Sequence, residues 1–243
     1  MIDVHVIELE TFLKNILVID TSDNILKIAL HCGEQDYYVC EENTQRHVEI
    51  LIPKIKELFE SANADVKSLN EIYVCCGPGS FTGLRIGIAT AITLAYSLSI
   101  PVYGFCAFSV YEYQILHRQV LVPLVDGKKH QFYCAFITDK FNPNDPDQLF
   151  DFAYADILDT ISTAKPVKVT FAGKDVSLIE QNLQEDLKKA GIEYEWLFPN
   201  NYTPQQMLEY IRNLGHHSLK YPEPIYIRKS EAEIELMNRL KKN

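Results

Sequence analysis

The chain has 243 residues, of which 47% are hydrophobic and 23% charged, enough apolar material for one large core or two smaller ones and too much for a disordered chain. Its formal net charge of −10, with a pI near 5.2, excludes an overall basic field that would draw nucleic acid. If RNA is involved, a partner is expected to supply most of the phosphate contacts.

The first residues, "MIDVHVIELETFLKN", carry acids and no basic segment, so no signal peptide is expected there. Three strands follow, at 16–20, 25–31 and 36–40, separated by the turn residues of "TSDN" and "CGEQ". In "TQRHVEILIPKIKELFESA" the residues Val48, Leu51, Ile52, Ile55, Leu58 and Phe59 recur at helical spacing. Pro53 is expected to kink that helix or confine it to its first turns. A strand at 72–76 and a helix at 82–98 come next.

From residue 86 to 108 there is no charge, long enough to span a bilayer. Thr90, Thr93, Ser97 and Ser99 interrupt the run, and Pro101 and Gly104 break it. A buried helix followed by a buried strand accounts for it, and no membrane contact is expected. The order βββαβα then recurs. Strands are expected within "VLVPLVDG", "QFYCAFIT" and "LFDFAYADI", a helix at 157–164, a strand in "VKVTFAG" and a helix at 177–190. A further strand is expected at 194–198, and a helix capped by Thr203 runs to Leu214. "NPNDPDQ" is a loop. The chain divides into an extension (1–14), a first lobe (15–117) and a second lobe with a tail (118–243), with Asp20 and Asp126 each ending the first strand of a lobe.

The six cysteines all lie within the first 134 residues without a C-x-x-C pair, and are expected to be free thiols in a reducing cytosol. The histidines form no H-x-x-x-H or H-E-x-x-H pair. His216 and His217 are adjacent and read as surface residues, and no residue is assigned to a metal. A metal nuclease would need acids on the fourth strand, which ends Cys75-Cys76-Gly77.

"CCGPGSFTGLRIGIATA" poses the central question. Gly77, Gly79 and Gly83 are spaced one residue too far for a dinucleotide fingerprint, no G-K-[ST] follows, and Ser80 lacks the flanking glycines of a nucleophile elbow. Ser80 or Thr82 can cap the helix that follows, whose N-terminus with Arg85 would attract an anion. Gly83, Gly87, Ala91 and Ala95 place small residues on one row of that helix. Spacing alone favours close packing within the chain's own core over contact with a partner. Asp20 can orient a loop, help hold a hydrated metal near a nucleotide, or serve structure alone.

Four stretches, "ILVIDTS" (16–22), "TQRHVEILIPKI" (44–55), "GPGSFTGLRIG" (77–87) and "EPIYIRK" (223–229), resemble the bacterial TsaB family, also called YeaZ. The resemblance implies an α/β, actin-like fold of two RNase H-like lobes in a cytoplasmic protein. It also implies a non-catalytic scaffold or activator with no intrinsic cofactor, which acts with the paralogue TsaD and the ATPase TsaE. That assembly transfers threonylcarbamoyl from threonylcarbamoyl-AMP to N6 of adenosine 37 in tRNAs that read ANN codons. TsaD would hold the metal and the reactive site, and tRNA would be met only through the complex.

Carried onto this chain, the helices at 44–59 and 81–98 would pair with TsaD or form a homodimer. The interface positions are His47, Ile50, Lys54, Gly83, Leu84, Gly87, Ala91 and Ala95, so the resemblance turns the small-residue row towards the partner. Asp20, Thr21, Ser22, Gly77, Gly79, Ser80, Thr82 and Arg85 would lie near phosphate, with ATP or ADP at the joint between the subunits. The turn "DGKKHQ" (126–131) departs from the family pattern. The competing readings are an actin-fold peptidase or nucleotide phosphotransferase acting alone, and a homodimeric binding module.

Overall fold

The computed structural model describes residues 14–42, 46–113, 120–197, 201–214 and 221–228. The expected 1–14 extension lies outside these residues but for Lys14, as do His216, His217 and the last residue of the expected strand at 194–198.

Two five-stranded sheets form the frame. The first contains β1 (Ile16–Asp20), β2 (Leu26–Cys32), β3 (Gln35–Glu41), β4 (Glu71–Gly77) and β5 (Val102–Cys106), in the order β3-β2-β1-β4-β5. The second contains β6 (Val120–Asp126), β7 (Gln131–Cys134), β8 (Phe150–Ala153), β9 (Lys168–Ala172) and β10 (Glu193–Leu197), in the order β10-β9-β6-β7-β8. In each, the first strand is central, antiparallel to the second and parallel to the fourth. The repeated topology read from element order is therefore present, and it extends one strand and one helix further, to βββαβαβα.

The helices are α1 (His47–Ser61), α2 (Phe81–Leu98), α3 (Ala107–Tyr113), α4 (Tyr154–Ala164), α5 (Glu180–Ala190) and α6 (Pro204–Asn213). Pro53 does not end α1; it sits on the exposed side, where water can take over the carbonyl it leaves without a donor. Thr203 caps α6 as expected, its hydroxyl accepting from Gln206 N while Gln206 accepts from Thr203 N.

Alternation along the strands explains the layering. Ile16 and Val18 of β1 face an inner core and Leu17 and Ile19 an outer one; Tyr73 and Cys75 of β4 are divided the same way from Ile72, Val74 and Cys76. The outer core of the first sheet is closed by Leu51, Ile55, Leu58 and Phe59 of α1 and by Leu84, Ile88, Ala91 and Ala95 of α2. The outer core of the second sheet is closed by Ile157 and Ile161 of α4 and Leu183 and Leu187 of α5.

Between the sheets lie α3 and α6, supplying Phe108, Val110, Met207, Leu208 and Ile211 to the shared inner core. Helix α6 follows the second sheet in sequence yet packs on β2 and β3 of the first. Arg212 of α6 pairs with Asp36, which also binds His31 at 2.7 Å. The segment 221–228 then crosses both lobes: Ile225 N donates to Cys76 O at 2.7 Å, and Arg228 grips both carboxylate oxygens of Asp151 at 2.6 Å and Gly127 O at 2.8 Å. Tyr226 accepts from Arg85 Nε and packs on Phe81, so two of the four family-like stretches meet in space.

Candidate functional site

The loop leaving β1 is enclosed by the protein itself. Asp20 and Thr21 are fully buried and Ser22 nearly so. Ser80 N donates to Ser22 O at 2.6 Å, and Thr21 Oγ1 donates to Gly83 O at 2.7 Å. A Cβ on Gly79 would stand 2.2 Å from Ser22 O, one on Gly83 2.1 Å from Thr21 O, and one on Gly87 2.3 Å from Thr21 Oγ1. The glycines let the first turns of α2 rest on the Thr21–Ser22 backbone, an approach no side chain would permit.

Two assignments change accordingly. Gly83, Leu84, Gly87, Ala91 and Ala95 are buried against the chain's own sheet and loop, so their row is not a partner surface. His47 is buried too, with Nε2 2.7 Å from Asp23 O, while Ile50 is half-buried and Lys54 pairs with Glu41 and Glu57. Nor do the eight phosphate-proximal candidates form one open cradle. Asp20, Thr21, Ser22 and Gly77 are buried, Gly79 is pressed on Ser22, and Ser80 is spent on the helix cap, its Oγ accepting from Gly83 N. Arg85 turns to Tyr226 and Phe81, leaving Thr82 exposed on the first turn.

Asp20 has an internal partner that motif reading missed. Lys27 Nζ of β2, 1% exposed, lies 2.8 Å from Asp20 Oδ2 and 3.3 Å from Asp23 Oδ2. Tyr202 donates to Asp20 Oδ2 and Ser22 N to Oδ1, each at 2.8 Å. Burial alone would raise the Asp20 carboxyl, but the Lys27 charge and these hydrogen bonds hold it well below the usual carboxylate range. Burial would likewise lower Lys27, and the charges of Asp20 and Asp23 raise it instead. Asn201 on Asp23 and Lys174 on Asn24 complete a polar seam between the lobes. The signal was present in "ILKIALH": a lysine inside a strand covered on both faces needs a buried counter-charge.

The open surface lies on the outer side of α1 and α2. The apolar stripe of α1 is wider than the sheet can cover, leaving Val48 70% and Ile52 56% exposed; on α2, Tyr96 is 87% exposed. Ile52, Phe59, Ala64, Val66 and Leu94 line a groove of about 740 Å³ between the two helices, with Lys56 and Glu60 at its edge. Helix α2 is long and apolar enough to cross a membrane by length and composition, but its buried residues cover the chain's own sheet. Among the described residues no group of three or more His, Cys, Asp or Glu could hold a metal. The six cysteines are free, and burial pushes the Cys76, Cys106 and Cys134 thiols up to about 12, 11 and 12.

Twin sheets of identical order, paired about a shared helical layer, define an actin-like protein of two RNase H-like lobes. The structure of YeaZ from Pseudomonas aeruginosa superposes with a TM-score of 0.56 at 16% identity, covering 82% of this chain and 90% of that one. A structure described as an uncharacterized protein with similarity to peptidase YEAZ from Pseudomonas aeruginosa gives 0.58 at 18% identity, covering 88% of this chain and 100% of the other. A family model described as "TsaD: tRNA N6-adenosine threonylcarbamoyltransferase" matches residues 38–236.

In sequence, the "tRNA threonylcarbamoyladenosine biosynthesis protein TsaB" of Bacillus subtilis is 30% identical over 90% of this chain and 96% of its own length. The protein of the same name from Buchnera aphidicola subsp. Schizaphis graminum is 34% identical over 49% of this chain and 58% of its own. The chain belongs to the TsaB (YeaZ) family, within the wider group that the TsaD model describes.

Proposed function

We propose that the chain serves threonylcarbamoyladenosine formation on tRNA as a non-catalytic subunit, pairing through the exposed α1–α2 face with a TsaD-type paralogue that performs the transfer. The observation that carries this reading is the apolar face itself: Val48, Ile52 and Tyr96 stand in solvent beside a groove that the chain's own core leaves open. Fully burying an aliphatic side chain contributes about 1.5–3 kcal/mol, so covering the exposed parts of Val48 and Ile52 supplies a share of the energy that holds a partner on this face. The same face can bind a second copy, so homodimer and heterodimer compete. A TsaE-type ATPase joins the assembled pair, tRNA is met through the complex, and the protein works in the cytoplasm. ATP or ADP at the joint would meet the partner's residues and the exposed first turn of α2, since the Asp20 loop is sealed.

The test is a Val48→Glu/Ile52→Glu variant, with both changes on exposed positions. Co-elution with TsaD is expected to be lost while urea unfolding moves by no more than about 0.5 kcal/mol. Retained co-elution removes the interface. Complete reconstituted tRNA modification in the absence of this chain removes the subunit role altogether.

A further inference from the structure

The groove beside α1 opens next to the point where the chain enters the fold. Asn15 is fixed against the turn before β4: its N donates to Asn70 Oδ1 at 2.7 Å and its Nδ2 to Ser68 O at 2.9 Å, while Asn70 N donates to Asn15 O at 2.9 Å. Lys14 Nζ lies 2.6 Å from Glu71 Oε1, which ties down the residue before it. Val66, at the other end of the short turn Val66–Ser68, lines the groove. Two residues span at most about 7 Å, so the entry point and the groove share one turn.

Thirteen residues precede Lys14, "MIDVHVIELETFL". Eight are apolar, three are acidic and none is Lys or Arg, so the segment brings both apolar surface to bury and negative charge to place. The groove answers to both. Ile52, 56% exposed, forms an apolar floor with Phe59, Val66 and Leu94. Lys67, exposed between the entry point and the groove, pairs with no acid among the described residues. The acids at the groove are engaged, Glu60 with Lys56 at 3.4 Å and Asp65 as acceptor from Lys67 N at 2.9 Å. Residues 2–13 reach about 18 Å as a helix and about 40 Å extended, against about 22 Å for the whole of α1. Either conformation is long enough to lie along the groove. A short tether also presents this segment at an effective concentration on the order of millimolar, which a separate peptide would have to match.

We propose that residues 2–13 of this chain occupy its own α1–α2 groove, with their apolar side chains on Ile52, Val66 and Leu94 and their acids beside Lys67, and so mask the face on which a partner docks. The docking stands on the entry point, the groove and the composition of the segment. The masking rests on the proposed partner face, which shares Ile52.

Hydrogen exchange of the full chain, read by mass spectrometry, measures the docking. The amides of residues 2–13 should exchange about tenfold or more slowly than in the same segment as a free peptide, as a docked form outnumbering the open one by about ten to one requires. Leu9→Glu in the segment and Ile52→Glu in the groove should each bring the rate to within about twofold of the free peptide. Val167→Glu, the same change at a 65% exposed site on the second lobe, should leave the protection in place. Exchange of the native segment at the peptide rate, or protection untouched by Ile52→Glu, overturns the proposal. So does protection that grows with protein concentration, which would assign the groove to the segment of another copy. Masking is read separately. Leu9→Glu should tighten binding of a TsaD-type partner about tenfold, because the face is then open throughout instead of about a tenth of the time. Protection without that gain refutes the masking and leaves the docking standing; if Val48→Glu/Ile52→Glu also keeps the partner, the fault lies with the partner face and not with the segment.

Discussion

Replacing Lys27 by Met probes the ion pair on which the inter-lobe seam is built. Lys27 and Asp20 are both essentially removed from water, so deleting one charge strands the other in a poorly polarisable setting. Breaking such a pair costs about 3–5 kcal/mol. Tyr202 and Ser22 still hydrogen-bond the Asp20 carboxylate, and Met refills most of the aliphatic volume, which places the expectation near the lower end, about 3 kcal/mol. In a chain of this size that lowers the melting temperature by roughly 6–12 °C. The pH dependence gives a second readout. In the native protein Asp20 is held below its unfolded value near 3.9, so the pair's stabilisation is complete above about pH 4 and is lost as the pH falls further. In the variant the same carboxyl is buried without its counter-charge and rises above the unfolded value. Protonation then favours folding, and the deficit shrinks between pH 7 and about 4.5. Urea unfolding at both pH values measures this, and adding Asp20→Asn should restore more than half of the loss. A deficit under about 1 kcal/mol, or one identical at the two pH values, would refute the reasoning.

Two further outcomes follow from the packing. Gly83→Ala drives a methyl to within 2.1 Å of Thr21 O, a backbone atom that cannot swing aside, and should destabilise the fold by about 1–3 kcal/mol in denaturant titration; a neutral result would mean that α2 does not rest on the β1 loop. In the native protein at pH 8 a thiol reagent should modify Cys40, which is exposed, and Cys32, half-buried, while Cys75, Cys76, Cys106 and Cys134 react only after denaturation. Mass-spectrometric mapping before and after unfolding decides it, and rapid native labelling of any of the four buried thiols would contradict the core described.

The sequence made the order of elements legible because β1, β4 and α1 carry clean periodicities between recognisable turns. It concealed α3, whose "AFSVYEY" has the composition of a strand, and it overran β7, because "QFYCAFIT" stays apolar after pairing stops at Cys134. Close approach at Gly83 and Gly87 was readable from small residues every four positions. Its target was not, since Thr21 lies some sixty residues away and nothing local points to it. The width of the α1 stripe held unused information. Six apolar positions on one helix exceed what a sheet can bury, and the excess, Val48 and Ile52, is the surface that stays open.

The crossing of α6 to the first sheet has a consequence during synthesis. Helix α3 can cover β4 and β5 at once, but the inward face of β2 and β3 waits for α6 with its Met207, Leu208 and Ile211, so the amino-terminal half leaves the ribosome with that part of its sheet bare. It stays so until nearly the whole polypeptide has emerged. A shortened product ending before residue 204 would therefore be a substrate for chaperones or proteases, not a self-sufficient half-molecule.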